Sequence, residues 1–171
     1  MTRLTPVSYI VLALLDEAGE ATPYELKGMA ASLTDLWALR HDQVYREPAR
    51  LAGEGLLSEE RETSGRRRRR FRLTDDGTKA LAEWRRTPTT ELAELRDPGL
   101  LQLLLDGDAD ALARTQLELH QRKVAEYEAM RETMGPDAPP NVVRAVNSGI
   151  GHEREYVRFW TDIGNGGDGA P

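Results

Sequence analysis

The chain reads as a mainly helical protein with one small β-hairpin, split into an N-terminal part that holds the hairpin and a C-terminal part made of helices alone. Three observations predict this. Apolar residues recur at spacings of three and four over most of the length. An arginine block, Gly65-Arg66-Arg67-Arg68-Arg69-Arg70-Phe71-Arg72-Leu73-Thr74, follows a short stretch with strand character, Gly55-Leu56-Leu57-Ser58-Glu59-Glu60-Arg61. The character of the chain then changes at Thr87-Pro88-Thr89-Thr90, which reads as a linker.

Thr5-Pro6 opens the first helix, with a hydroxyl cap followed by proline in the first turn. Val7, Ile10, Val11, Leu14 and Leu15 give that helix one apolar face, and Gly19 ends it. Thr22-Pro23 repeats the start signal for a short second helix carrying Tyr24, Leu26, Met29 and Ala30. Leu36-Trp37-Ala38-Leu39 connects to a third helix over about Arg40 to Glu54, with Val44, Pro48 and Leu51 inward and Gly55 as its stop. Two strands are expected next, Leu57 to Glu62 and Arg66 to Leu73, joined at Thr63-Ser64-Gly65, with Phe71 and Leu73 on one face. Thr74 caps a fourth helix that has Asp75 and Asp76 at its positive end and Ala80, Leu81 and Trp84 on its buried side.

Beyond the linker, Leu100 to Leu105 form a short apolar helix, broken by Asp106-Gly107-Asp108. A long helix follows from about Ala109 to Met134. Its residues Ala113, Leu117, His120, Val124, Tyr127, Arg131 and Met134 make a coiled-coil-like seam with polar interruptions at His120 and Arg131. After the loop from Gly135 to Pro140, a last helix from about Asn141 to Ile163 carries Val142, Val146, Ile150, Tyr156, Phe159 and Trp160. The expected organisation is therefore a domain over residues 1–86, a helical domain over 87–163 and a mobile glycine-rich tail over 164–171.

The 171 residues suffice for one ordinary domain or two small ones. With no cysteine, disulfides, thiolate metal sites and cysteine nucleophiles are all excluded. No window approaches the roughly 18 apolar residues of a membrane span, and Met1-Thr2-Arg3-Leu4 does not begin an export signal. A cytoplasmic, bacterial protein is expected, with no membrane partner. The net charge of −6 is unevenly spread: residues 1–86 hold 15 basic and 14 acidic side chains, whereas residues 87–171 hold 8 and 15. Seven arginines fall between positions 61 and 72, so cation density is concentrated on the hairpin. Over a screening length of about 8 Å, that local field outweighs the total. Planar guanidinium forks at a hairpin tip suit a phosphate backbone, although most charge runs are merely solvated faces.

Helix, helix, helix, hairpin, helix is the element order of a winged helix-turn-helix, in which the third helix enters the major groove and the hairpin lies beside it. The arginine block falls at the wing. At this point the chain resembles the PadR-like transcriptional regulators. The resemblance is carried by Leu4-Thr5-Pro6-Val7-Ser8-Tyr9-Ile10-Val11-Leu12-Ala13-Leu14-Leu15, Tyr24-Glu25-Leu26-Lys27, Trp37, Gln43-Val44-Tyr45, Arg50-Leu51 and Glu54-Gly55-Leu56-Leu57. Gly65-Arg66-Arg67 and Phe71-Arg72-Leu73-Thr74-Asp75-Asp76-Gly77 continue it, and Glu94-Leu95-Arg96-Asp97 and His152-Glu153-Arg154-Glu155-Tyr156 look like the family's C-terminal region. The resemblance implies a DNA-binding, usually repressing homodimer with a winged-helix N-domain, a C-domain that dimerises, and in many members a response to a small aromatic or lipophilic effector. Residue 46 departs from it: arginine stands where the family usually has proline, and Pro48 takes a usual leucine position. Proline inside a helix costs about 3 kcal/mol, so a kink or break is expected between Val44 and Pro48.

For base reading the candidates are Arg40, His41 and Gln43 at the start of the third helix. Glutamine pairs bidentately with adenine and arginine with guanine, and the resemblance places glutamine at this position. His41 is equally a surface histidine, and Asp42 fits a helix N-terminal carboxylate better than a cytosine reader. Tyr24, Tyr45, Arg46 and Arg50 are the candidate phosphate clamps, Tyr45 mainly by resemblance, with packing against Trp37 as its rival. At the wing the candidates are Arg66, Arg67 and Arg68, and strand alternation allows about half of the arginine block to face DNA. Leu101, Leu104, Leu117, Val124, Tyr127 and Phe159 are expected to dimerise the chain, which suits a pseudo-palindromic operator in double-stranded DNA. An intramolecular helical hairpin is the competing use of the same apolar surface. Trp37, Tyr127, Tyr156 and Trp160 are candidate effector-pocket residues, largely by resemblance, since aromatic rows at helical spacing are more often core.

His152, Glu153 and Glu155 do not form a zinc spacing and read as a salt-bridge cluster. No metal or cofactor is expected. Gly149-Ile150-Gly151 lacks the third glycine and the preceding strand of a dinucleotide loop, and no Gly-x-Ser-x-Gly or His-Glu-x-x-His occurs. The sequence thus points away from an enzyme. The remaining alternative is a winged-helix adaptor that binds protein in place of DNA.

Overall fold

A computed structural model describes residues 3–31, 37, 41–61 and 68–168, with the side chain of His41 excluded. The described residues hold seven helices and two strands: α1 (Pro6–Ala18), α2 (Pro23–Ala30), α3 (His41–Gly53), β1 (Leu57–Arg61), β2 (Arg69–Leu73), α4 (Asp75–Arg86), α5 (Pro98–Leu104), α6 (Ala109–Thr133) and α7 (Pro140–Gly164). They fall into two compact units, Met1–Glu91 and Leu92–Pro171.

In the first unit the helix starts are reciprocal capping boxes. Thr5 Oγ1 accepts from the Ser8 N–H while Ser8 Oγ accepts from the Thr5 N–H, and Thr22 and Glu25 repeat the arrangement at α2. Proline follows each cap, where its missing N–H costs no helical bond. Val11, Leu12 and Leu15 of α1, Leu26 of α2, Val44 and Leu51 of α3, Phe71 of β2 and Leu81 of α4 form one core. Trp84, expected on the buried side of α4, is 49% exposed and stacks on Tyr9 at 4.7 Å. So large an aromatic at the rim of a small core covers one face and leaves the other in solvent.

Of the kink or break expected in α3 between Val44 and Pro48, the break is absent: the helix runs from His41 to Gly53 across Pro48. Pro48 is fully buried, so packing of its ring offsets part of the lost backbone bond. A polar network next to it ties α3 to α1, as described below. Gly55 ends the turn after α3 at φ 80°, in the left-handed region that favours glycine.

β1 and β2 pair antiparallel from Leu57↔Leu73 to Arg61↔Arg69, and Glu62 to Arg67, including the expected turn, lie outside the described residues. On the other edge of β2, Ala21 and Phe71 exchange two backbone bonds of 3.1 and 2.9 Å. Ala21, two residues beyond the Gly19 stop of α1, therefore extends the sheet on that edge. Thr74 closes the hairpin onto α4: its Oγ1 accepts from the Gly77 N–H at 3.1 Å and donates to the Gly55 carbonyl at 2.7 Å. A Cβ on Gly77 would lie 2.1 Å from the Leu56 carbonyl oxygen, which fixes glycine there by close approach.

In the second unit, α5 and α6 start on aspartate caps at Asp97 and Asp108. Leu112, Ala113 and Trp160 form the buried centre, with Leu117 and Phe159 packed against it. α6 and α7 form a hairpin within the chain, so much of the seam on α6 faces α7. Tyr127, expected to meet a second chain, is buried there with its ring 3.1 Å from where a Gly149 Cβ would stand. A glycine on α7 opens the space that admits the ring. No helix among the described residues is long and apolar enough to cross a membrane.

Candidate nucleic-acid interface

α3 has two faces set by helical spacing. Val44, Pro48 and Leu51, four and three apart, point into the core, which leaves Asp42, Gln43, Tyr45 and Arg46 outward. Tyr45 is 57% exposed, and Tyr24 in the first turn of α2 is 79% exposed. Asp42 lies in the first turn of α3, where a carboxylate complements the helix dipole.

The turn of α3 between these faces is fastened to α1. Ser8, fully buried, donates from Oγ to Glu47 Oε1 at 2.6 Å and accepts from Arg50 Nη2 at 2.9 Å. Arg50 Nε reaches Glu47 Oε2 at 3.0 Å, its Nη2 bonds Glu47 Oε1, and its Nη1 reaches Glu54 at 2.6 Å. Burial pushes the Glu47 carboxyl up, but the hydrogen bonds from Arg50 and Ser8 outweigh it and the pKa is lowered. Glu47, first, raises the pKa of Arg50. Arg50, a candidate phosphate clamp by sequence, bonds Ser8, Glu47 and Glu54 of its own chain with its side chain 33% exposed.

The wing lies close to both helices. Arg69 is near enough to Tyr45 for the phenol to act on its guanidinium. Arg70 and Arg68 act on Glu25 at the start of α2, whose carboxyl is lowered first by the Thr22 backbone N–H, then by the Thr22 hydroxyl, and less by those two charges. The strand arginines are paired with acids. Arg69 grips Glu59 with Nε and Nη2 at 2.7 and 2.6 Å, and Arg61 Nε joins it at 2.7 Å. On the other side Arg70 Nη1 and Arg72 Nε reach Glu20 at 3.1 and 2.7 Å. Arg68 is exposed. The structure thus brings Tyr24, Gln43, Tyr45, Arg46 and Arg68 to the surface. Arg40, Arg66 and Arg67 lie outside the described residues, as does the His41 side chain. Sequence reasoning missed Glu20 and Glu59, and the only signal for them was the arginine excess that needs counter-charges.

The aromatic candidates separate. Trp37 lines a cleft of about 1160 Å³ in the first unit with Tyr9, Ile10, Leu56 and Trp84. Tyr156 lines a second cleft of about 560 Å³ in the second unit with His120, His152 and Glu153. Burial and then Asp97 push the Tyr156 hydroxyl up. Tyr127 and Trp160 line neither, being interior residues of the second unit. His152, Glu153 and Glu155 also part company: Glu153 meets His120 at 2.6 Å, Glu155 pairs with Arg158, and the His152 ring lies 5.0 Å from that of Tyr156. Among the described residues no three His, Asp or Glu side chains are placed to hold a metal. Of the dimerisation candidates, Leu101 and Leu104 on α5 are 55% and 78% exposed, whereas Leu117, Val124 and Phe159 are half-buried.

Three helices, a hairpin bonded along one edge to the segment before α2, and a following helix define a winged helix-turn-helix fold. Residues 11–83 match the model of the transcriptional regulator PadR-like family. The chain is 25% identical over 173 residues to the negative transcriptional regulator PadR of Bacillus subtilis (strain 168), covering 92% of this chain and 94% of that protein. The fold is similar to that of Bacillus subtilis PadR in complex with operator DNA, with a TM-score of 0.80 at 20% identity over 96% of this chain and 99% of that one. It is similar also to Bacillus subtilis PadR in complex with p-coumaric acid, with a TM-score of 0.73 at 21% identity over 94% and 96%.

Proposed function

We propose that this protein is a transcriptional regulator that binds double-stranded DNA sequence-specifically as a homodimer, represses, and is released by a small aromatic or lipophilic effector. The observation that carries the reading is an outward polar face on α3, Gln43, Tyr45 and Arg46, together with a wing whose Arg68 is exposed and whose Arg69 lies within electrostatic reach of Tyr45. α3 supplies base-edge donors and acceptors for the major groove, and Tyr24, Arg46 and the arginines 66–68 supply phosphate contacts. Arg40 and His41 complete the base-reading set in this proposal. The operator-bound relative supports this use of the fold, and the p-coumaric acid complex supports an effector of that chemistry. The reading assigns residues 1–86 to DNA, 87–163 to pairing and 164–171 to a tail, in a cytoplasmic protein that joins the nucleoid when bound and catalyses nothing.

Pairing of two chains falls to the largely exposed leucines Leu101 and Leu104 of α5 and Leu105 at its C-terminal end. Gel shift with the DNA upstream of the protein's own gene tests the proposal. Salt-sensitive, sequence-selective retardation, relieved by p-coumarate or a related aromatic acid, is expected. Absence of retardation at low salt points to the protein-binding adaptor.

A further inference from the structure

The arginines of the wing are divided by their partners. The register places Leu57, Glu59 and Arg61 of β1 opposite Leu73, Phe71 and Arg69 of β2. Arg61 therefore stands directly across from Arg69, a like-charge pair that destabilises a ladder unless it is neutralised. Glu59 lies beside both and takes three guanidinium N–H groups within 2.7 Å. The Arg69 guanidinium also sits 5.3 Å from the centre of the Phe71 ring. On the far edge of β2 the Ala21↔Phe71 bridge puts Glu20 across from Arg72 and diagonal to Arg70, and Glu20 binds both. Two carboxylates thus hold four arginines, Arg61 of β1 and Arg69, Arg70 and Arg72 of β2, on the two faces of the hairpin.

Resting on the reading of this surface as a DNA interface, we infer that Glu20 and Glu59 are restraining residues. They keep Arg61, Arg69, Arg70 and Arg72 at the base of the wing and away from phosphate, which suppresses non-specific attachment to DNA and leaves phosphate contact to Arg68 and the arginines preceding it. The physical reason is competition. An arginine that turns to a phosphate gives up a charge-assisted bond, bidentate for Arg69, and leaves its carboxylate facing a polyanion. The phosphate contribution is independent of sequence, so withholding four cations lowers non-specific affinity while the base contacts of α3 stay intact. The specificity ratio rises accordingly. The strong lowering of the Glu59 pKa, with Arg69 first among its causes, is consistent with a carboxylate that stays ionised in this role.

Fluorescence anisotropy on a labelled duplex of mixed sequence, titrated with salt, tests the inference. The full chain is compared with the E20Q/E59Q and R70Q/R72Q variants, and a thermal melt of each checks folding. E20Q/E59Q is expected to bind more tightly and to steepen the dependence of log K on log salt by about 0.9 for each released arginine, up to about 3.6 for all four. R70Q/R72Q is expected to keep the slope of the unsubstituted chain. An unchanged slope in E20Q/E59Q overturns the inference, as does a slope reduced by about two contacts in R70Q/R72Q. Should E20Q/E59Q fail to fold, R70Q/R72Q alone decides. If the unsubstituted chain binds no duplex at low salt, the DNA-binding reading itself falls, and the restraint with it.

Discussion

Ser8 is the residue on which the orientation of α3 turns. A buried hydroxyl that serves one carboxylate and one guanidinium cannot be removed without leaving polar groups short of partners. Ser8→Ala is expected to lower unfolding stability by about 1–2 kcal/mol in denaturant titration. Gly77→Ala is expected to cost more, about 1–3 kcal/mol, because a methyl group there meets a backbone oxygen that has no rotamer to yield. Glu59 carries a pH signature. Arg69, then Arg61, holds its carboxyl at about 2, against 4.5 unperturbed. A depressed carboxylate contributes stability that is present above pH 4.5 and lost as the pH falls toward 2. Glu59→Gln is expected to flatten the acid limb of the stability curve between those values, as read by circular dichroism.

Among the elements, the proposed function divides recognition between α3 and the wing. Gln43→Ala is expected to relax selectivity at one base pair of each half-site, by about 1–3 kcal/mol in competition binding, with the salt slope unchanged. Phe71→Ala removes a fully buried ring shared by the sheet and the helices, and is expected to cost about 3–5 kcal/mol. The helix starts were legible in the chain because caps and prolines act over three or four residues: Thr5-Pro6, Thr22-Pro23 and Thr74 each do what local chemistry dictates. The inward set Val44, Pro48 and Leu51 was legible from spacing. The continuity of α3 was not, because a rule about isolated helices cannot weigh the burial of the proline ring in a tertiary core. Nor was the division of the arginine block legible, since it depends on Glu20, some fifty residues away from Arg70 and Arg72 and brought beside them by the Ala21↔Phe71 bridge. Arg50 shows the same limit: its partner Ser8 lies on another helix.

At the scale of the whole molecule, the proposal requires two copies. α6 and α7 already bury Tyr127 and Trp160 within one chain, and in the proposal the exposed leucines of α5 supply apolar surface for pairing. Leu101→Glu with Leu104→Glu is expected to shift the protein toward monomer in sedimentation at micromolar concentration while the helical circular dichroism is retained. A substituted protein that stays dimeric would place the interface elsewhere. The central claim, a paired winged helix reading duplex DNA, is tested most directly by selecting bound sequences from a random duplex pool. The account predicts enrichment of an inverted repeat whose half-site centres lie about 10–10.5 base pairs apart or a multiple of that. Recovery of a pool with no preferred sequence, from protein that is folded and dimeric, would contradict it.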